Sequence, residues 1–184
     1  MKKIVIGIIG TIGSGKGTLA KFLVNNYNFR SIVMGNLVRA EARKRKIKAT
    51  RENLHNLQAK LRKKNKYYFI NKVIDKIEKS KYERWVVDGL RNPEDASMLK
   101  KKFNAKIIFV DAPIILRWKR TIKRGRSYEK NLSFEEFLKK EKEEEKIFRF
   151  NITKKYADYK IFNDKTKREF YKKIKKIINL SLRD

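Results

Sequence analysis

Within nine residues, Gly10-Thr11-Ile12-Gly13-Ser14-Gly15-Lys16-Gly17-Thr18, the chain carries four glycines, one lysine and three hydroxyl side chains. That mixture suits a polyphosphate. Glycines let the backbone curl until successive N–H groups face one anion, and a helix starting at the end of the loop adds its positive terminus. Lys16 supplies a mobile charge for the outer phosphates. Thr18 can offer its hydroxyl and N–H to phosphate or to magnesium. The simplest form of such a loop has Ser or Thr directly after the lysine; here Gly17 holds that place and Thr18 follows one later. The apolar run Ile4–Ile9 leads into the loop, and Leu19, Phe22 and Leu23 recur at helical spacing after it. Strand, loop, lysine and helix thus fall in the order that phosphate binding requires. The expected ligand is a nucleoside triphosphate.

A second constellation is Val86-Val87-Asp88-Gly89-Leu90-Arg91. A carboxylate at the end of a buried strand beside a phosphate loop can hold Mg²⁺ or its water shell, or act as a base toward an acceptor hydroxyl. It can also be an ordinary Asp in a strand-end turn. Arg91, just past the turn, reads as a clamp for an acceptor's phosphate. Gly35, Asn36 and Arg39 follow the second strand, with Arg39 expected in the first turn of a helix. On spacing alone Arg39 is as readily a surface arginine as a ligand. Arg117, Arg120 and Arg124 lie at i, i+3 and i+7, on one helical face, and Arg126 follows in Arg124-Gly125-Arg126-Ser127. Stacked like charges cost a few tenths of a kcal/mol per pair, so an anionic partner would account for them; a solvated basic face is the other reading. A lid bringing Arg120, Arg124 and Arg126 over a transferred phosphoryl group would use them this way.

Other charged and aromatic residues read as structural. His55, the single histidine, lies in a helical segment with no partner visible in sequence. The run 139–146 reads as a solvated, salt-bridged helix face. Trp85, Trp118 and the tyrosines read as core or rim. The basic segment 165–176 reads as an amphipathic helix that packs Phe170, Ile174, Ile177 and Ile178 on a sheet.

Five apolar, β-rich runs can position these groups: Ile4–Ile9, 31–34, 85–87, 106–110 and Tyr159–Phe162. Helical patterns separate them, which predicts an α/β fold with a parallel sheet. Asn92-Pro93-Glu94-Asp95 has the form of a helix start, with an N-cap, a proline at the first position and acids in the first turn. Ser133 with Glu136 forms a capping box. The gap between Met34 and Trp85 holds three helical segments, 37–46, Arg51–Lys64 and 66–79. That exceeds a simple crossover and predicts a helical insertion.

The 184 residues fit one domain with a substantial core. There is no cysteine, which excludes disulfides and thiolate metal sites and points to an intracellular setting. No apolar run approaches the roughly 20 residues of a membrane span. Met1-Lys2-Lys3 and the run after it lead straight into the loop, so no targeting segment is expected and the location expected is cytoplasmic. Lys and Arg number 50 against 20 Asp and Glu, a net charge of +30. Such a field attracts nucleotides, nucleic acids and anionic surfaces. The lysines are scattered through every segment, which reads as a solvating surface with at most weak, nonspecific nucleic-acid binding.

Taken together these residues resemble the nucleoside-monophosphate-kinase branch of the P-loop kinases. The loop 10–18 is similar to the adenylate-kinase form, in which Gly and Thr follow the lysine. Gly35-Asn36-Leu37-Val38-Arg39 is similar to that branch's Gly-Asp-x-x-Arg, and Asp88-Gly89-Leu90-Arg91 to its Asp-Gly-x-x-Arg, with the arginine one residue early. A closer resemblance is to an archaeal dephospho-CoA-kinase-like family. It is carried by Val33-Met34-Gly35, Arg39-x-Glu41, Thr50-x-Glu52-Asn53-Leu54, Val87-Asp88-Gly89-x-Arg91, Arg124-Gly125-Arg126-Ser127, Ala157-Asp158 and Asn163-Asp164. It runs over roughly residues 3 to 172. Asn36 replaces that family's usual Asp, Tyr128-Glu129 replaces two acids, and the acidic stretch 141–145 replaces basic positions.

The resemblance implies a three-layer P-loop kinase domain over 1–184 with a five-stranded parallel sheet. It also implies a helical acceptor-binding insertion at about 35–80 and a short lid within about 117–150. By the same resemblance Lys16 and Gly10, Ile12, Gly13, Ser14, Gly15, Gly17 and Thr18 hold ATP, and Thr18 and Asp88 hold Mg²⁺. Gly35, Asn36, Arg39 and Arg91 hold the acceptor, and Lys16, Asp88, Arg120, Arg124 and Arg126 serve catalysis. The expected reaction is phosphoryl transfer from ATP to a small nucleotide-like acceptor, either dephospho-CoA or a nucleoside or deoxynucleoside monophosphate. Two rivals stand beside it: a nucleic-acid-associated NTPase that uses ATP as a switch, and a kinase-derived chain that binds nucleotide but transfers nothing.

Overall fold

The computed structural model describes residues 3–125, 129 and 131–182. Five strands form one parallel sheet: β1 (Ile4–Ile9), β2 (Arg30–Val33), β3 (Arg84–Leu90), β4 (Lys106–Asp111) and β5 (Tyr159–Phe162), in the order β2-β3-β1-β4-β5. The inner strands are near-continuous apolar runs because both of their faces are covered. On one face α1 (Lys16–Tyr27) and α9 (Lys167–Ser181) bury Leu19, Phe22, Leu23, Phe170, Ile174 and Ile178 against Ile6, Ile8, Val86 and Ile108. On the other, α2 (Met34–Lys44), α3 (Arg51–Lys64), α4 (Tyr68–Glu78) and α5 (Pro93–Phe103) pack against Val5, Ile9, Val87 and Ile107.

The remaining helices are α6 (Ile114–Arg124), α7 (Phe134–Phe148) and the short α8 (Phe150–Thr153), with a 3-10 turn at Lys154–Tyr156 before β5. The chain leaves central β1 for one edge, returns past it, and builds the other edge. The connections after β1, β3 and β4 therefore spread apart above the carboxyl ends of the strands, where open α/β sheets bind ligands. Among the described residues no helix is long and apolar enough to cross a membrane.

Start signals were well marked. Thr50 Oγ1 accepts from Asn53 N at 3.2 Å to begin α3, Ser133 and Glu136 form the capping box of α7, and Pro93 opens α5. A further box, Thr166 with Glu169, begins α9. Three expectations need correction. Met34 belongs to α2 and not to the strand, so Arg39 sits in the second helical turn and not the first. The helices expected at 37–46 and 66–79 are α2 and α4, with Lys46 turned to φ 56 beyond the end of α2. β3 is longer than 85–87 and holds Asp88, Gly89 and Leu90. Asp88 stays in the ladder because Ile8 and Val33 pair with it from both sides, and the register slips only at Gly89, where φ is 91°.

Candidate active site

The loop between β1 and α1 is fixed by its own backbone and by the far end of the chain. Thr18 N and Leu19 N donate to Gly15 O at 2.9 and 3.1 Å, and Asn163 Nδ2 donates to Ser14 O at 2.8 Å. Gly13 has φ 76°, and a Cβ there would lie 2.3 Å from the Arg117 carbonyl oxygen. Gly15 caps α1 at φ 103°. The hydroxyls of Thr11 and Ser14 are buried with no hydrogen-bond partner among the described residues. An unsatisfied buried group costs about 1–3 kcal/mol; Thr11 lines a cavity beside Gly10 where a phosphate oxygen could satisfy it, whereas Ser14 is fully enclosed. Lys16 Nζ donates to Thr11 O at 3.0 Å, folded back over the loop. Lost hydration lowers the Lys16 pKa to about 8 against the pull of Asp88; the charges of Arg91 and Arg124 add to the fall, and Glu144 opposes it.

Those charged groups line one cavity of about 230 Å³ at the ends of β1 and β3. Lys16 and Gly17 come from the start of α1 where the loop ends, Gly35 and Arg39 from α2, and Asp88 and Arg91 from β3 and just beyond it. Arg124 arrives from the end of α6. A Cβ at Gly35 would lie 3.4 Å from the Arg39 guanidinium, so the bare glycine lets Arg39 fold back along its own helix. Asn36 Oδ1 accepts from Arg39 Nη2 at 2.5 Å, which makes Asn36 a support of the arginine and not part of the lining. Ile12 is buried with Leu132 and Phe137. Asp88 is buried, and its Oδ2 would be 3.8 Å from a Cβ at Gly17.

The arginines of α6 do not act as one face. Arg120 Nη1 donates to Asn163 O at 3.1 Å, toward the loop after β5 and away from the cavity. Arg124 is bidentate to Glu129, at 2.5 and 3.1 Å. Arg117 is buried and pairs with Glu141 while its Nε donates to Ala112 O at 3.2 Å. Burial raises the Glu141 pKa against the pull of Arg117. Arg126 lies outside the described residues.

The stretch 139–146 of α7 is largely the solvated, salt-bridged face expected, with Lys139, Lys142, Glu143, Glu145 and Lys146 exposed, but Glu141 and Glu144 turn inward. Glu144 reaches into the cleft, where Oε1 accepts from Arg51 Nη2 at 2.5 Å and Arg91 Nη1 at 3.0 Å, with His55 Nε2 3.5 Å away. Burial opposes its ionisation, but the Arg91 charge, the His55 bond and Arg51 outweigh it and hold the carboxyl far below its usual range. Phe148 lies beneath, with His55 edge-on at 5.3 Å and the Arg91 guanidinium 5.2 Å from the ring centre. His55 is thus a member of the cleft, which sequence reading missed. Arg51, Arg62 and Asp95 were missed as well; Arg62 grips buried Asp95 with two bonds, at 2.7 and 3.1 Å, tying α3 to α5. A signal was present for Glu141 and Glu144. With Phe137 and Phe148 they recur at i, i+4, i+7 and i+11, the buried stripe of a helix.

Among the described residues no group of three or more His, Asp or Glu could by itself hold a metal. Asp88 lines the cavity and Thr18 stands in the first turn of α1 without lining it; a carboxylate and a hydroxyl would suit an ion that keeps most of its ligands as water and phosphate oxygen, as Mg²⁺ does.

Residues 9–139 match the AAA domain family. A UPF0200 protein of Methanothermobacter thermautotrophicus is 30% identical over 166 residues, spanning 89% of this chain and 83% of that one. A UPF0200 protein of Pyrococcus abyssi is 32% identical over 182 residues and 95% of each chain. Among solved structures, shikimate kinase from Acinetobacter baumannii in complex with shikimate overlays with TM-score 0.64 at 17% identity, covering 98% of this chain and 93% of that one. Shikimate kinase from Bacteroides thetaiotaomicron gives 0.66 at 12%, covering 96% and 97%. Those overlays establish the P-loop kinase fold for the whole span, and with the sequence matches they make this chain a member of the UPF0200 family, built around an AAA domain.

Proposed function

We propose that the protein transfers the terminal phosphoryl group of ATP to a small phosphate-bearing, nucleotide-like acceptor. The observation that carries this reading is the meeting of Lys16, Asp88, Arg39, Arg91 and Arg124 around one cavity at the mouth of the phosphate loop. Loop N–H groups, the Thr11 hydroxyl and Lys16 hold the donor's phosphates. Thr18 and Asp88 would hold Mg²⁺, which when bound neutralises charge between the outer phosphates. Arg39 and Arg91 orient the acceptor, and Arg124 faces the charge that develops on the group in transit. Phosphoryl transfer needs mainly positioning and charge stabilisation, which lysine and arginines in a recessed cleft supply.

The resemblance to adenylate and dephospho-CoA kinases supports two acceptor classes, a nucleoside monophosphate and dephospho-CoA. ADP release from Mg-ATP across a panel of both, with a short RNA beside them, tests the reading. One small acceptor should stimulate release, and Lys16→Ala should abolish it while the far-ultraviolet spectrum stays unchanged. Near-full turnover in that variant would refute the mechanism. One observation favours a second reading, an RNA-linked NTPase: the groove between α1 and α9 is lined by Lys21, Lys167, Arg168, Lys172 and Lys175 with no carboxylate. Stimulation by RNA alone, falling steeply with salt, would select it.

A further inference from the structure

Glu144 stands where three cavities meet. It lines the 230 Å³ cleft, a cavity of about 330 Å³ on the other side of the loop bounded by Gly10, Asp111 and Arg117, and the groove between α3 and α7. Arg91 lines the first two with it, so the Arg91–Glu144 pair is the partition between them. Three residues from two places in the chain, Arg51 and His55 one turn apart on α3 and Arg91 after β3, all address one atom, Glu144 Oε1. Two guanidiniums face one carboxylate, so Arg51, Arg91 and Glu144 together carry a net positive charge. A tetrahedral oxyanion offers an oxygen to each donor, and a dianion cancels both guanidiniums. Such bonds between ionised partners are the stronger kind.

We propose that the Glu144 carboxylate is a built-in surrogate for the phosphate monoester of the acceptor, and that the incoming phosphate displaces it from Arg51, His55 and Arg91. The inference rests on the kinase reading only in attributing the phosphate to the acceptor. Displacement opens the partition between the cleft and the loop-side cavity, and it loosens α7 from α3. Acceptor binding is thereby coupled to movement of α7, and an empty cleft keeps its arginines paired. Glu144 acts through the arginines and is a positioning residue.

The test uses the full chain and inorganic phosphate as the probe, by calorimetric titration. Glu144→Gln removes the competitor and should bind phosphate at least tenfold more tightly than the unaltered protein. Glu143→Gln makes the same charge change at an exposed site on the same helix and should gain less than twofold. The gain should persist with Mg-ADP saturating the loop. An absent gain, an equal gain in Glu143→Gln, or a gain abolished by Mg-ADP would each overturn the proposal. A second measurement needs no variant: phosphate, against chloride at matched ionic strength, should speed amide exchange across 134–148 in the unaltered protein. Unchanged exchange at saturating phosphate would overturn it too. Neither readout requires turnover, so failure of every acceptor to stimulate ADP release would sink the kinase reading and leave these results standing.

Discussion

Lys16 gives the sharpest quantitative expectation. Its pKa is lowered to about 8, mainly by lost hydration. Polyphosphate beside the ammonium would restore the charged form, returning the group to about its ordinary 10.5. Binding of Mg-ADP should therefore take up about 0.1 proton at pH 7, about 0.5 at pH 8 and about 0.9 at pH 9. The affinity consequence follows from the same two values: between pH 7 and pH 9 the dissociation constant should weaken about tenfold. Stability moves the other way. The folded pKa lies below the unfolded one, so the unfolded chain binds more protons between about 8 and 10.5, and the nucleotide-free protein should gain stability as pH rises through that window. Calorimetry of Mg-ADP binding in buffers of different ionisation enthalpy counts the protons directly. Lys16→Arg keeps a charge that does not titrate in this range, so its uptake should be near zero at all three pH values. Uptake that persists in Lys16→Arg, or that is flat from pH 7 to 9, would refute the argument.

Three further outcomes are expected. Arg117→Met strands the half-buried Glu141 carboxylate and should cost about 2–4 kcal/mol at pH 7.5; because burial raises the Glu141 pKa, the deficit in urea midpoint should shrink at pH 5, and a pH-independent deficit would count against the pairing. Gly13→Ala places a methyl 2.3 Å from the Arg117 carbonyl at φ 76°, so Mg-ADP affinity should fall more than about tenfold and the melting temperature should drop; unaltered binding would show the loop to be soft. Phe69→Ala empties the fully buried heart of α4 and should lower stability by about 3–5 kcal/mol in denaturant titration, with a loss below 1 kcal/mol pointing to a looser insertion.

Local chemistry wrote most of the framework into the sequence. The ends of α3 were readable at Arg51 and Lys64 because Thr50 caps one and the polar break at Asn65 follows the other. The loop was readable because only glycine accepts its geometry at positions such as Gly13. Asp88 was harder: Asp-Gly-Leu looks like a turn, and it remains strand only because β1 and β2 pair with it from both sides. The cleft's own ion pairs were the least legible. Arg51 and Glu144 lie 93 residues apart, and no pattern in one sequence says that they meet. The acids of α7 announced themselves only as polar interruptions of an apolar stripe, easily mistaken for a wet face.

Arg149 joins α7 to α8 in the left-handed conformation, at φ 48°, and pairs with Glu94 at the start of α5. The C-terminal end of α7 is thus pinned, and at 1.5 Å per residue its 15 residues form an arm about 22 Å long. Glu144 sits about 7.5 Å from that pin and Ser133 about 24 Å from it. A swing about Arg149 that draws the Glu144 backbone back by 2 Å, on the order of one broken hydrogen bond, would carry the capped end some three times as far. The leverage lies in where along the rod the carboxylate was placed: near the fulcrum, a small chemical exchange becomes a large sweep at the tip.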